Sequence, residues 1–242
     1  MENIVFRYGE DQLSATAQGY FEGMCGVCKD NNKAKAMAKQ ALELKNKIFD
    51  RIDVRGIYSI YSGDSLESGK LTIEGMDFSF AGISLLAKES TYRIIPFILT
   101  SGNYEMEETN SILDQFYADT YGTAYVDAAR DELKKNLLKN AKKDLAGIEK
   151  ELYISDSIGP GFYGMANSMV ENFFKILNYK KINVSMNSYN VIIPVKSCVG
   201  LFIITDDEKM LPHYDCMSCS TKTKNCRFCR LKSREIDNGN SK

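Results

Sequence analysis

Tryptophan is absent from this 242-residue chain, histidine occurs once and proline only four times. The single histidine, His213, excludes a multi-histidine catalytic site. A Ser-His-Asp triad would need that residue as its base, and no surrounding pattern supports one. Long apolar runs are missing too, so no segment reads as a membrane span. An excess of charge is lacking: 31 basic residues face 32 acidic ones, which argues against wholesale binding to nucleic acid or to an acidic membrane. The first residues, Met1-Glu-Asn-Ile-Val-Phe-Arg7, lack the charged-then-apolar pattern of a secretory leader. Seven cysteines without such a leader lead us to expect a cytoplasmic, reducing location, with thiolates that hold metal or stay free.

What is present is ordinary globular material, 44% apolar and 26% charged, long enough to bury a core. Residues 1–30 give no readable period. Ala34 to Ile48 is rich in helix formers with apolar residues at helical spacing. Gly56 to Tyr61 alternates and predicts a strand, Gly63 to Gly69 a polar turn, and Leu71 to Glu74 a short strand able to close a hairpin with it. Ser79 to Ala87 predicts a short helix. Tyr92 to Thr100 predicts a buried strand, with Pro96 placing it at an edge or a bulge. Asn110 to Lys143 is the longest helical stretch, with basic residues at the end that suits the helix dipole. Met165 to Leu177 predicts a helix. Lys181 to Asn187, Val191 to Pro194 and Val199 to Thr205 predict strands. Helices and strands mix without regular βαβ alternation. The expected class is therefore α+β, a twisted antiparallel sheet flanked by helices, with a C-terminal cysteine-rich module.

Two stretches carry chemistry. Ser157-Ile-Gly-Pro-Gly-Phe-Tyr-Gly-Met165 holds a Gly-Pro-Gly turn whose backbone amides can approach a ligand closely. Cys216-x2-Cys219-x6-Cys226-x2-Cys229 has two paired-cysteine knuckles, which suit structural zinc or an iron–sulfur cluster. Cys25-x2-Cys28 could be a redox pair, half of another site or an incidental pair. Asp127 and Asp131 share a face of the long helix, where acids are ordinarily solvated. Phe162, Tyr163 and Tyr189 could stack on a flat ligand, although aromatics are more often core.

The order of these pieces resembles the reactivation domain of cobalamin-dependent methionine synthase, and especially stand-alone relatives from anaerobes. The matching stretches are Gly159-Pro160-Gly161-Phe162, Lys181 to Ser188, Pro194-Val-Lys-Ser-Cys-Val-Gly200 and Tyr121 to Ala128, within residues 55–230. The resemblance implies S-adenosylmethionine as ligand and a cobalamin on a partner, either a corrinoid protein or a cobalamin-dependent methyltransferase. It also implies a low-potential electron donor such as flavodoxin or ferredoxin. Residues matched to the ligand are Asp127, Ser157, Gly159, Pro160, Gly161, Phe162, Lys196 and Ser197, with Asp127 near the sulfonium or amino group. Ser157 stands where the family has an arginine that pairs with the ligand carboxylate, and Phe162 where it has a tyrosine. A serine hydroxyl cannot form a bidentate clamp, so Lys196 or Arg130 becomes the alternative partner. A chain that has lost this ligand would instead dock on a corrinoid protein or pass electrons through a four-cysteine metal site. The implied division is a helical region over 1–54, an α+β domain over 55–212, the cysteine module over 213–232 and a tail over 233–242.

Overall fold

The structure is a computed structural model that describes residues 2–25, 32–67, 69–103 and 111–212, with 33 and 34 described by backbone alone. The four cysteines Cys216, Cys219, Cys226 and Cys229, together with Cys28 and His213, lie outside the described residues. Ten strands and four α-helices run in the order β1 (Ile4–Arg7), α1 (Glu10–Cys25), α2 (Asn32–Ile48), β2 (Arg55–Tyr58), β3 (Leu66–Glu67), β4 (Lys70–Ile73), β5 (Met76–Phe78), β6 (Thr91–Thr100), α3 (Ile112–Asp144), β7 (Tyr153–Ile154), α4 (Val170–Ile176), β8 (Ser185–Met186), β9 (Ile192–Ile193) and β10 (Ser197–Thr205). The main sheet has the order β1-β2-β6-β10-β7 and is antiparallel throughout. This is the α+β class that the sequence predicts, with helices against an antiparallel sheet.

Both faces of the main sheet are buried, which explains why β6 and β10 read as continuous apolar runs. Residues alternate across a strand. Ile95, Phe97, Leu99, Phe202 and Ile204 enter a core shared with α1, α2 and α3. Ile94, Ile98, Val199, Leu201 and Ile203 enter a second core under α4 and the small sheet β3-β4-β5. On α1, Leu13, Ala17 and Phe21 form a buried stripe at spacing four, and Phe21 stacks on Tyr121 of α3 with ring centroids 3.9 Å apart. Ser111 caps α3 by accepting from the Asp114 amide.

Several expectations are corrected. Residues 4–25, unreadable in the sequence, supply β1 and α1. Leu71 to Glu74 does not pair with the 56–61 strand; β4 pairs with β3 and β5. The Ser79 to Ala87 stretch holds only a 3-10 turn at Ile83–Leu85, because Gly82 sits at φ +87° and breaks any longer helix. Met165 to Leu177 shortens to α4 after a 3-10 turn at Asn167–Met169. Lys181 to Asn187 begins in a 3-10 turn and leaves only β8 as strand, paired with β9.

Pro96 lies in the central strand rather than at an edge, opposite Leu201. Its carbonyl accepts from the Ser59 amide, so its missing N–H faces β2. There the ladder lapses between the Tyr58–Phe97 pair and the Tyr61–Ile94 bridge.

Candidate functional site

The long helix α3 crosses the sheet and carries a polar stripe: Asp119, Thr123, Asp127, Arg130 and Lys134. At 100° per residue these five fall within about 80° of arc and along about 22 Å of axis. The stripe meets the start of β10 and the edge strand beside it. Lys196 Nζ donates to Asp119 Oδ1 at 2.7 Å and to Thr123 Oγ1 at 3.1 Å. Arg130 Nη1 pairs with Asp127 Oδ1 at 2.8 Å. Lys134 Nζ donates to Asp156 Oδ1 at 2.8 Å.

Cys198 lies within electrostatic range of the Asp127–Arg130 pair. Burial pushes its thiol up to about 12; Arg130 opposes that rise and Asp127 adds to it. Arg130 answers in kind: burial pulls it down, but the Asp127 carboxylate and its neighbours carry it above the usual guanidinium range.

Opposite α3, the segment from Tyr153 runs along β10. Ser155 N donates to Ile203 O, and Ile158 and Leu201 exchange backbone hydrogen bonds at 3.0 and 2.7 Å. The Gly-Pro-Gly bend follows at once. Gly159 is there because β10 is close: a Cβ on it would lie 2.5 Å from Val199 O. Gly200 is the reciprocal case, since its Cβ would meet Ser157 Oγ at 2.8 Å and Phe97 Cζ at 3.1 Å. Ser157 therefore lies on the α3 face of the sheet, over Gly200. Asp127 and Ser157 thus both face the stretch Cys198–Gly200 on the α3 side of the sheet.

The remaining sequence candidates are placed as follows. Gly161 takes φ +82°, a left-handed conformation that suits glycine. Its N–H donates to Met165 O at 2.9 Å, and the Phe162 N–H donates to Gly159 O at 2.9 Å. Pro160 has no N–H to offer. The bend is thus closed by its own amides, where the sequence leads us to expect those donors turned toward a ligand. Phe162 is 53% exposed at the rim, whereas Tyr163 belongs to the core. Tyr189 is 85% exposed beyond the β8–β9 ribbon. Ser197 turns its hydroxyl onto Pro194 O at 2.6 Å. Asp131, four residues on from Asp127 in the same helix, accepts from Tyr20 on α1 at 2.6 Å.

Sequence reasoning passed over Asp119, Thr123, Lys134 and Cys198. The repeating three- and four-residue spacing from 119 to 134 was the signal that joined the first three to Asp127. Among the described residues no cluster of His, Cys, Asp and Glu could hold a metal ion. Among them, too, no helix is long and apolar enough to cross a membrane.

The fold defines a class: a five-stranded antiparallel sheet with a long helix across one face and a small sheet with a short helix on the other. Among solved structures the chain is similar to the MetH reactivation domain in its crystal structure bound to AdoHcy, at TM-score 0.57 and 12% identity, covering 88% of this chain and 81% of that one. At that identity the likeness establishes a shared fold. No family model and no curated protein compared with the sequence matches it.

Proposed function

We propose that the chain binds S-adenosylmethionine in the seam between α3 and the Ser157–Met165 segment and supports reactivation of a corrinoid-dependent methyltransferase. One observation carries this reading. The fold shared over 88% of the chain is that of a reactivation domain whose structure holds AdoHcy, the product left when S-adenosylmethionine gives up its methyl group. The partner's corrinoid would supply the chemistry, reductive methylation of its cobalt with the nucleoside's methyl group and one electron from a donor of the flavodoxin or ferredoxin class.

This chain's residues would orient the sulfonium nucleoside and keep water from it. Asp127 offers negative charge to the cationic end of the ligand. Gly159 to Phe162 form the wall beneath it, and Lys196 and Ser197 flank the entrance. The cysteine segment 213–232 is proposed as a separate zinc or iron–sulfur module, following the 55–212 domain in the sequence.

A second reading is favoured by a specific feature. The Gly161 and Phe162 amides are spent inside the bend, and Ser157 is short. A chain so built could dock on a corrinoid protein or carry electrons through Cys216, Cys219, Cys226 and Cys229 without this ligand. Calorimetry with S-adenosylmethionine separates the two. Binding raises the melting temperature by mass action; no heat and no thermal shift at millimolar ligand would eliminate the first reading. A brown, anaerobically purified protein that binds no nucleoside would favour electron transfer.

A further inference from the structure

We infer that Arg7 and Arg55 form an oxyanion site at the β1–β2 edge of the main sheet, suited to a phosphate dianion. The site lies on the sheet face opposite α3 and stands independently of nucleoside binding.

Arg7 and Arg55 are register partners in the antiparallel pair β1–β2. Side chains directly opposite share a face with Cβ atoms about 4.5–5.5 Å apart, and like charges so placed repel. Ile57, two residues on from Arg55, enters the second core. Both arginines therefore belong to that face, away from the α3 seam. One acid answers the two of them. Asp53 pairs with Arg55 Nη1 and, at 3.7 Å, with Arg7 Nη1; among the described residues no other acid pairs with either.

More positive charge borders them. Lys180 and Lys181 are exposed and have no side-chain partner among the described residues. They immediately precede Ile182, whose carbonyl takes Arg55 Nε at 2.7 Å. Four cations against one carboxylate leave an excess of three positive charges. A carboxylate ligand would balance one of them. A phosphate group brings about two negative charges and three acceptor oxygens, enough to meet both arginines and a lysine together.

Arg55 is what separates this cluster from a solvated surface patch, the ordinary place for lysines. Its side chain is only 9% exposed. Nε is spent on Ile182 O, and Nη1 on the carbonyl of Asp53 at 3.2 Å and on its carboxylate. A guanidinium has five donors, so the two on Nη2 are left without an acceptor among the described residues. The bonds already made fix the plane of the fork, and its free edge is set before a ligand arrives. An arginine so withdrawn from water bears a desolvation cost that a bound anion offsets. Arg7, 70% exposed, is free to close over the anion from the edge strand.

The test titrates the full chain with inorganic phosphate, reading heat and melting temperature, beside potassium chloride at equal ionic strength to account for screening. Phosphate bound to the folded chain raises the melting temperature in a saturable way. Arg7→Gln and Lys181→Gln change exposed side chains and should each weaken phosphate roughly 10-fold, the low end for a hydrogen bond to a charged group. Arg55→Lys keeps the charge but loses the fork and should weaken it by roughly 10-fold or more; its melting temperature without phosphate reports its own folding. Lys139→Gln, exposed on α3 and so across the sheet, should leave phosphate binding unchanged. Glycerol 3-phosphate is the second probe: tighter binding than inorganic phosphate assigns the site to a phosphate ester, and weaker binding assigns it to the free ion. No saturable response beyond that of chloride, or one undiminished in Arg7→Gln, would overturn the inference. Neither result bears on nucleoside binding in the α3 seam.

Discussion

Replacing Gly159 by alanine tests whether the bend is held by β10 or merely lies near it. The added methyl would sit 2.5 Å from Val199 O and 3.3 Å from Gly200 Cα, both backbone atoms of a central strand. Neither can yield without disturbing β10, which is paired on both sides. The bend must yield instead, pulling on the two Ile158–Leu201 hydrogen bonds at 3.0 and 2.7 Å. Two such bonds contribute about 1–3 kcal/mol net, and overpacking adds about 1–3 kcal/mol, so the expected loss is roughly 2–5 kcal/mol. For a domain of this size that lowers the melting temperature by roughly 5–15 °C.

Two controls bracket the result. Gly147→Ala meets nothing within 4 Å and should stay within about 0.5 kcal/mol of the parent. Gly161→Ala meets only Asn167 Oδ1 at 3.5 Å but is forced to φ +82°, and should lose about 1–2 kcal/mol from backbone strain alone. Urea and thermal denaturation measure all three. A Gly159→Ala protein as stable as Gly147→Ala would refute the close approach.

Other outcomes are expected from single side chains. Arg55 is buried, donates to Ile182 O at 2.7 Å and pairs with Asp53; Arg55→Met should lose about 1–3 kcal/mol by urea denaturation, since it strands the Ile182 carbonyl, whereas Asp53 stays half exposed and near Arg7. A loss under 0.5 kcal/mol would mean that the Tyr179–Ile182 turn is held by other contacts. With its thiol pushed from 9.0 up to about 12, Cys198 should hold roughly 10³-fold less thiolate at pH 8 than an ordinary cysteine. Iodoacetamide should therefore modify it slowly in the native protein and faster after unfolding, and rapid labelling of the native protein would contradict the raised thiol.

The same shift sets a sign for stability. A folded value above the unfolded one contributes stability that is complete below pH 9 and lost as pH rises toward 12. Ser157→Arg should lower the melting temperature, because the long cation must leave the opening over Gly200 on the sheet face that Arg130 also occupies; an unchanged melting temperature would disprove that placement.

The parts of the fold legible in the sequence were those whose signal is local. Helix α3 was readable because its period persists for 33 residues, and β6 and β10 because burial on both faces makes them uniformly apolar. Partner choice was not readable. Leu71 to Glu74 has the composition of a strand, but whether it joins Tyr58 or Phe78 is decided by where the chain turns. Pro96 misled for a similar reason: proline is excluded only where its N–H is wanted, and the sequence does not say on which side a ladder lapses. At the site, the helical spacing around Asp127 was legible. The inward closure of the bend was not, because Gly-Pro-Gly permits that backbone path without fixing where the Gly161 and Phe162 amides point.

Gly200 changes what residue 157 can mean. With Ile158 paired to Leu201, Ser157 lies diagonal to Gly200 across the two strands, and glycine at 200 leaves an opening on the α3 face that Ser157 Oγ fills. A long side chain at 157 would have to climb out of that opening toward the polar stripe, where Asp127 already holds Arg130 at 2.8 Å. One cation balances the Asp127 carboxylate; two would leave an excess positive charge in a partly buried seam, which is costly. Serine at 157 and arginine at 130 are therefore mutually consistent. The guanidinium within electrostatic range of Cys198 thus sits on the helix rather than on the edge segment.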